Sequence, residues 1–176
     1  MSSPRMIKRW IHRSWSIYKR SRGDGFIVGL VVQWTPSTNE ASTLQLCFGT
    51  HCLVIQLSHT PSIPDVLRRF LLDENVRFVG IWNRSDNERL LNSNHKLSIG
   101  NLINMSDYAI TGKPSMKNLT RLFLGYDGVP KHHIWSNYDI LRSNWSARNL
   151  SIQQIEHAVV VAYVSLRVGM RFRQRF

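Results

Sequence analysis

The chain has 176 residues, of which 43% are hydrophobic, so it can form one domain with its own core. No apolar run approaches the ~20 residues that a membrane-spanning helix needs, and no membrane partner is predicted. Lys and Arg outnumber Asp and Glu by 23 to 11, which gives a formal net charge of +12. A balance this basic indicates a polyanionic partner, although a basic protein without an organised patch is the alternative.

Residues 1–22 carry seven Lys and Arg and no acid. One stripe at helical spacing runs through them and consists of Ile7, Trp10, Ile11, Ser14, Trp15 and Tyr18. Two tryptophans on one stripe favour a helix packed on the core, so 1–22 is predicted to be a basic N-terminal helix of the domain that 23–176 completes. A membrane-surface helix and an Arg/Ser-rich organelle transit peptide are the alternatives.

A buried strand, covered on both faces, is predicted over residues 26–34, while periodicity alone leaves a helix as the alternative. Its sequence is a β-branched run bounded by Asp24-Gly25 before it and by Thr35-Pro36 after it. Val31 and Gln33 are two residues apart, so their side chains share one face of this strand.

A hairpin follows, because residues 44–48 and 53–57 alternate in polarity around the turn residues Gly49 and Thr50. Cys47 and Cys52 then face each other across the two strands. A bond between them is one interpretation, and a reduced pair that packs as small hydrophobic side chains is the preferred one.

The remaining elements alternate between helix and strand. We predict a helix over 65–72 with Pro64 at its first helical position, a strand over 76–82, a helix over 86–91 capped by Ser85 or Asp86, and a helix between Ser115 and Gly125. Residues 99–108 are ambiguous, and 126–150 are irregular.

The final helix has the clearest local signal in the chain. Ser151 and Gln154 have the spacing of a capping box, and Leu150 and Ile155 occupy the two positions of a hydrophobic staple. The helix is predicted to reach about Arg171, although the valine-rich run inside it favours strand by propensity alone. The complete pattern predicts an α/β domain with a mixed sheet.

Four parts of the chain resemble the Werner-like 3′–5′ exonucleases, a branch of the DEDD superfamily. They are 28–36 (VGLVVQWTP), 44–57 (LQLCFGTHCLVIQL), 78–90 (FVGIWNRSDNERL), and 143–145 (SNW) followed by 150–158 (LSIQQIEHA). The sequences of these motifs are most similar to those of the plant RISC-interacting clearing exoribonucleases.

This resemblance covers about residues 7 to 172. It implies an RNase H-like (DnaQ-like) fold, in which helices flank a mixed α/β sheet. Family members usually have two further strands before the first helix, so the chain is expected to be truncated at its start.

The family resemblance also implies a set of catalytic positions. Four carboxylates of the family hold two Mg²⁺ or Mn²⁺ ions for phosphodiester hydrolysis. The first-strand acids correspond to Val31 and Gln33, the second-motif acid corresponds to Asp86, and the Tyr-x-x-x-Asp pair of the final helix corresponds to His157 and Val161. One acid of four is present, so we expect an inactive, degenerate site that binds no such ions.

Each of these candidates has a structural alternative. Asp86 is either the remaining metal position or a helix cap, and His157 is either a base or a buried helix histidine. An active 3′–5′ exoribonuclease is the alternative function, and it would need Glu156 and Asp139 as substitute carboxylates. The pair His132-His133 lacks a third ligand, which argues against zinc.

The resemblance implies nucleic acid as the partner, RNA rather than DNA. Candidate contacts are Trp34, Arg84, Arg89 and Arg167, while Trp82, Trp135 and Trp145 either stack on bases or pack in the core. Homo- or hetero-oligomers with related exonucleases are expected, in which this chain is a non-catalytic subunit. The expected location is cytoplasmic or nuclear, with organelle targeting by the basic N-terminus as the alternative.

Overall fold

The computed structural model describes residues 3–21, 25–108, 118, 121 and 138–173. Those residues form a five-stranded sheet in the order β3-β2-β1-β4-β5. The strands are β1 (Phe26–Gln33), β2 (Thr43–Phe48), β3 (His51–Gln56), β4 (Val76–Gly80) and β5 (Leu102–Asn104). β1 runs antiparallel to β2 and parallel to β4, so the sheet is mixed, as predicted.

Helices lie on both faces of this sheet. They are α1 (Pro4–Ser21), α2 (Asp65–Leu71), α3 (Asp86–Asn92), α4 (Tyr138–Leu141) and α5 (Ile152–Phe172), with single 3₁₀ turns at Leu57–His59 and Met105–Tyr108. Within the described ranges, no helix has both the length and the apolar character needed to cross a membrane. The helix predicted after Ser115, Trp135 and the His132-His133 pair lie outside the described residues.

The side chains of β1 alternate between two separate cores, as the two-residue period of a strand requires. Phe26, Val28 and Leu30 point to one face of the sheet, where they pack with α1, α2 and α3. Ile27 and Val31 point to the opposite face, where they pack with α5.

α1 contributes its apolar stripe to the first core. Ile7 and Ile11 are buried, and the rings of Trp10 and Phe70 meet edge to face with centroids 6.1 Å apart. The Trp15 ring meets the Phe26 ring in the same way at 4.7 Å. Such aromatic contacts add to the stabilisation that burial already supplies.

α5 covers the second core, and its backbone approaches β1 closely at Gly29. A Cβ at Gly29 would collide with the carbonyl oxygen of Ala162, so the position needs a residue without a side chain. The helix begins with the predicted capping box, in which Ser151 Oγ accepts from the Gln154 backbone N–H and the Gln154 side chain accepts from the Ser151 N–H. The helical interpretation of the valine-rich run is thereby confirmed, since burial against the sheet overrides its weak propensity.

The preference for reduced cysteines was wrong, because Cys47 and Cys52 form a disulfide. The hairpin pairs them directly, with their Cα atoms 4.1 Å apart. Gly49 takes the left-handed φ of +59° that the two-residue turn needs. The turn sets the register, and the register places the two sulfurs within bonding reach.

Several local features differ from the prediction. Pro64 is the N-cap of α2, with extended backbone, and is not its first helical residue. β4 ends at Gly80, two residues before Trp82, whose left-handed φ of 57° interrupts the strand. The ambiguous region 99–108 contains β5 and a 3₁₀ turn, and the region predicted to be irregular contains α4.

Candidate functional site

A pocket of about 170 Å³ lies where the parallel strands β1 and β4 end. It is lined by Leu30, Val31, Val32, Gln33, Trp34, Ile81, Trp82, Asp86, Leu141, His157 and Val161. This edge of a parallel pair is where ligands bind in many α/β proteins. The five positions singled out by family resemblance all line this one pocket.

Three elements supply those five side chains. Alternation along β1 directs Val31 and Gln33 to the face that α5 covers. His157 and Val161 stand one helical turn apart on α5, so they point the same way. Asp86 is the first residue of α3, which packs beside the end of β1.

Asp86 is buried in an unfavourable place for a charge. Its side chain is 4% exposed, and burial raises the pKa of the Asp86 carboxyl from 3.8 to about 7. A hydrogen bond from the backbone N–H of Val32 and the nearby Arg89 guanidinium both lower this pKa, but burial outweighs them. Near neutral pH this carboxyl group therefore holds a proton far more readily than an exposed Asp does.

Neither predicted cap of α3 is formed. Ser85 holds the N-cap position, but its side chain makes no cap hydrogen bond. Asp86 is inside the helix, and its carboxyl group accepts the Val32 N–H across the pocket instead of a helix N–H. The pairing of β1 with β4 ends at Gly29, which leaves the later part of β1 available for this contact.

The pocket lacks the donors that a two-ion site needs. Val31 and Val161 present hydrocarbon, and Gln33 offers a neutral amide in place of a carboxylate. Glu156 and Asp139 are exposed and do not line the pocket. Among the described residues, no cluster of three or more His, Cys, Asp or Glu could hold a metal ion. The residues present therefore do not fit the family's pair of divalent ions.

His157 lines the pocket, and its ring packs near the ring of Trp145, which is not a lining residue. His157 is 2% exposed, and its ring centroid is 6.1 Å from that of Trp145. Trp145 is itself buried, so it packs in the interior and offers no surface for base stacking.

Trp82 is the exposed tryptophan at the pocket, with 53% of its side chain accessible. Its backbone N–H donates to Asn104 Oδ1 and Ser106 Oγ, each at 3.1 Å, which holds the left-handed backbone in place. Sequence reasoning missed this backbone geometry, and it also missed the pocket residue Leu141, because it took that region as irregular.

The predicted nucleic-acid contacts are already engaged with protein groups. The Arg89 guanidinium stacks 3.8 Å above the Trp34 ring and donates to Asn39 Oδ1. Arg84 forms a salt bridge with Asp107. Their roles toward a ligand remain predictions.

Arg167 does not belong to the pocket. It lies on the exposed side of α5, where its guanidinium donates to the Tyr163 hydroxyl at 3.0 Å. It is ten residues beyond His157, which is about 15 Å along the helix.

A protein-family model described as 3′–5′ exonuclease matches residues 32–175. A curated 3′–5′ exonuclease of Arabidopsis thaliana is 29% identical over 154 residues, which is 84% of this chain and 52% of the relative. The chain thus spans about half the length of this curated relative.

Solved structures share the fold at low sequence identity. The catalytic core of RRP6 from Trypanosoma brucei matches with a TM-score of 0.69 at 14% identity, over 99% of this chain and 46% of that one. The Aedes aegypti Nibbler EXO domain matches with a TM-score of 0.62 at 14% identity, over 93% and 86% of the two chains. The EXD2 exonuclease domain soaked in Mn matches with a TM-score of 0.53 at 18% identity, over 99% and 88%.

These matches confirm the RNase H-like arrangement that the resemblance predicted. The family model covers far more than half of the chain and includes every pocket element after the middle of β1. The chain belongs to the 3′–5′ exonuclease family.

Proposed function

We propose that this chain is a nucleic-acid-binding member of the 3′–5′ exonuclease family whose hydrolytic site is degenerate. One observation carries the proposal: among the described residues that line the pocket, Asp86 is the single carboxylate, and Val31 and Val161 occupy two of the family's acid positions. Hydrolysis of the family kind needs two ions, one to activate water and one to stabilise the leaving oxygen.

The lost carboxylates leave no substitute of comparable strength. Gln33 contributes one amide oxygen, and burial raises the pKa of Asp86, which disfavours its charged form. Electrostatic stabilisation of the transition state is often the largest contribution to enzymatic rate. Its absence here would lower turnover by many orders of magnitude.

Retained binding of nucleic acid is supported by charge and by one surface contact. The net charge of +12 attracts phosphate, and the Trp34 ring with the Arg89 guanidinium forms a flat platform at the pocket. The preference for RNA over DNA rests on the sequence resemblance alone.

The first test is single-turnover incubation of the full chain with labelled single-stranded RNA and either Mg²⁺ or Mn²⁺. We expect intact RNA together with binding measured by fluorescence anisotropy. RNA cleavage that disappears in Asp86→Ala would instead establish an active enzyme with an altered site.

The matched control restores the missing acids with Val31→Asp, Gln33→Glu and Val161→Asp in one chain. We expect this variant to gain Mn²⁺-dependent cleavage, because RNA would already lie in the family register. The melting temperature, measured with and without Mn²⁺, reports ion binding independently of turnover. A folded variant that binds Mn²⁺ and RNA but leaves the RNA intact would argue against binding in that register.

Association with related subunits is the second part of the proposal. The plant exoribonucleases that the sequence resembles form rings, and a non-catalytic chain could join them. Light scattering would give the mass of the purified chain in solution, and co-purification with an active relative would test mixed assembly. A chain that is monomeric by light scattering and does not co-purify with an active relative would contradict the proposed association, and the proposed degenerate site would still stand.

A further inference from the structure

We propose that the solvent face of α1 is a second polyanion-binding surface, which holds the phosphate backbone of a nucleic acid. It lies on the opposite side of the sheet from the pocket. The inference shares with the proposed function only the class of ligand, nucleic acid, and it places most of the electrostatic attraction at a different site.

The cations of α1 are collected on one face of the helix. All are exposed: Arg5, Lys8, Arg9, Arg13, Lys19 and Arg20. At 100° per residue their positions span an arc of about 140°, opposite the buried stripe of Ile7, Trp10 and Ile11. We call this surface the α1 face.

Among the residues that the structure describes, no acid forms an ion pair with the α1 face. The helix contains no Asp or Glu. In the part of the chain that the structure describes, the ion pair within 4 Å joins Arg84 to Asp107, which lie far from α1 in sequence. Arg20 donates to the carbonyl oxygen of Ser16, a contact that leaves its positive charge in place.

The cations near the pocket differ in this respect. Arg89 stacks on Trp34 and donates to Asn39, and it lies close enough to Asp86 to lower the pKa of that carboxyl. Arg84 is paired with Asp107. These guanidinium groups would have to give up contacts with other side chains to bind phosphate, whereas Arg20 on the α1 face would give up one backbone contact at most.

The dimensions of the α1 face suit an extended strand. From Arg5 to Arg20 the helix advances about 22 Å. A nucleic-acid strand in a duplex places one phosphate every ~3.4 Å, so about six phosphates fit beside six formal positive charges. Such contacts carry no sequence information, and they fix position and add affinity.

Burial of the apolar stripe favours nucleic acid over a membrane surface. A membrane-surface helix inserts its apolar side among the lipid chains. Ile7, Trp10 and Ile11 are between 0% and 8% exposed, because they pack on the sheet. Met6 is the exposed large apolar side chain of the described helix, and one such residue offers little to insert.

The two sites lie on opposite sides of the sheet. α1 packs on the core that contains Phe26 and Val28. The pocket belongs to the other face, where Val31 meets Val161 of α5. A ligand on the α1 face would therefore leave the pocket accessible.

The test compares two variants of equal net charge. The first removes three cations of the α1 face by Lys8→Gln, Arg9→Gln and Arg13→Gln. The control removes three exposed cations from other elements by Lys96→Gln, Arg148→Gln and Arg171→Gln. Affinity for a labelled single-stranded RNA of about 20 nucleotides is measured by anisotropy between about 50 and 200 mM salt.

We expect the α1 variant to lower the salt slope of log K by about 2, at ~0.7 per lost phosphate contact. Over that salt range, affinity of the wild type would then fall roughly twentyfold more than that of the α1 variant. The control should keep a slope near that of the wild type. The charge-preserving variant Lys8→Arg, Arg9→Lys and Arg13→Lys should restore the wild-type slope, and circular dichroism checks that all variants fold.

Other outcomes overturn this inference in distinguishable ways. Slopes that are lowered equally in the α1 variant and the control would mean that net charge alone attracts RNA. An unchanged slope in the α1 variant, with RNA still bound, would leave the proposed function standing and refute the α1 face. A wild-type chain that binds no RNA would refute both. If phosphatidylserine vesicles compete with RNA for the wild type and bind it more tightly, the α1 face is a membrane contact.

Discussion

The two faces of the sheet differ in how their charged groups are solvated. On the side of α5, the pocket buries one carboxyl group among aliphatic side chains and raises the pKa of Asp86 to about 7. On the side of α1, six formal positive charges stand in solvent with no acid in the helix. The fold therefore places the buried carboxyl group and the exposed cations on opposite sides of one sheet.

The largest expected effect is the pH-dependent loss of stability caused by the buried Asp86. If this effect were absent, the two faces of the sheet would not differ in how they solvate charge. The folded-state pKa of Asp86 lies above the unfolded value of 3.8, so the folded state holds this proton more tightly. The stability from this group is complete below pH ~3.8 and is lost as the pH rises to about 7. We expect Asp86→Asn, which cannot ionise, to gain stability relative to the wild type across this window, by on the order of 4 kcal/mol.

Urea unfolding of the wild type and of Asp86→Asn at several pH values from about 4 to 8 measures this difference in stability. The control is Arg13→Gln on α1, for which the difference from the wild type should stay flat with pH. A difference between wild type and Asp86→Asn that does not vary with pH would show that Asp86 is not effectively desolvated.

The next effect tests the close packing of the α5 backbone against Gly29 of β1. Gly29→Ala would drive a Cβ into the Ala162 carbonyl oxygen and against Leu166, both parts of the same helix. We expect a loss of roughly 3 kcal/mol in the free energy of unfolding, since the backbone of α5 must shift.

Gly49→Ala is the matched control, because a Cβ there meets nothing within 4 Å. Its φ of +59° alone should cost about 1 kcal/mol. If denaturant unfolding gives equal losses for both variants, close helix packing is not what requires glycine in β1.

The smallest expected effect separates the contribution of aromatic stacking to RNA affinity from the contribution of charge. Trp34→Ala removes the ring on which the Arg89 guanidinium stacks. We expect RNA affinity to fall by about 1 kcal/mol, or about fivefold, with an unchanged salt slope, because no cation is removed.

Trp34→Phe, which keeps an aromatic surface, should retain most of that affinity. The charge-removing α1 variant is expected to differ from Trp34→Ala, because it lowers the salt slope of RNA affinity. A slope that falls with Trp34→Ala would show that the tryptophan acts by holding Arg89 against phosphate, and the platform would then be part of the electrostatic surface.

Local signals in the sequence were sufficient for most of the fold. The spacing of Ile7, Trp10 and Ile11 indicates α1, the Gly49-Thr50 turn indicates the hairpin, and Ser151 with Gln154 indicates the start of α5. Each of these signals acts between residues that are close in the chain, so it can be evaluated without the tertiary structure. The family motifs likewise identify Val31, Asp86 and Val161 as the positions that correspond to metal-binding acids of the family.

The tertiary structure alone decided what surrounds those positions. Burial of Asp86 depends on three segments distant in sequence, and its pKa follows from that burial. The left-handed backbone of Trp82 and the pairing of Arg84 with Asp107 also depend on residues 20 or more positions away. Desolvation and ion pairing are properties of neighbours in space, and the pattern of residues along a chain does not specify those neighbours.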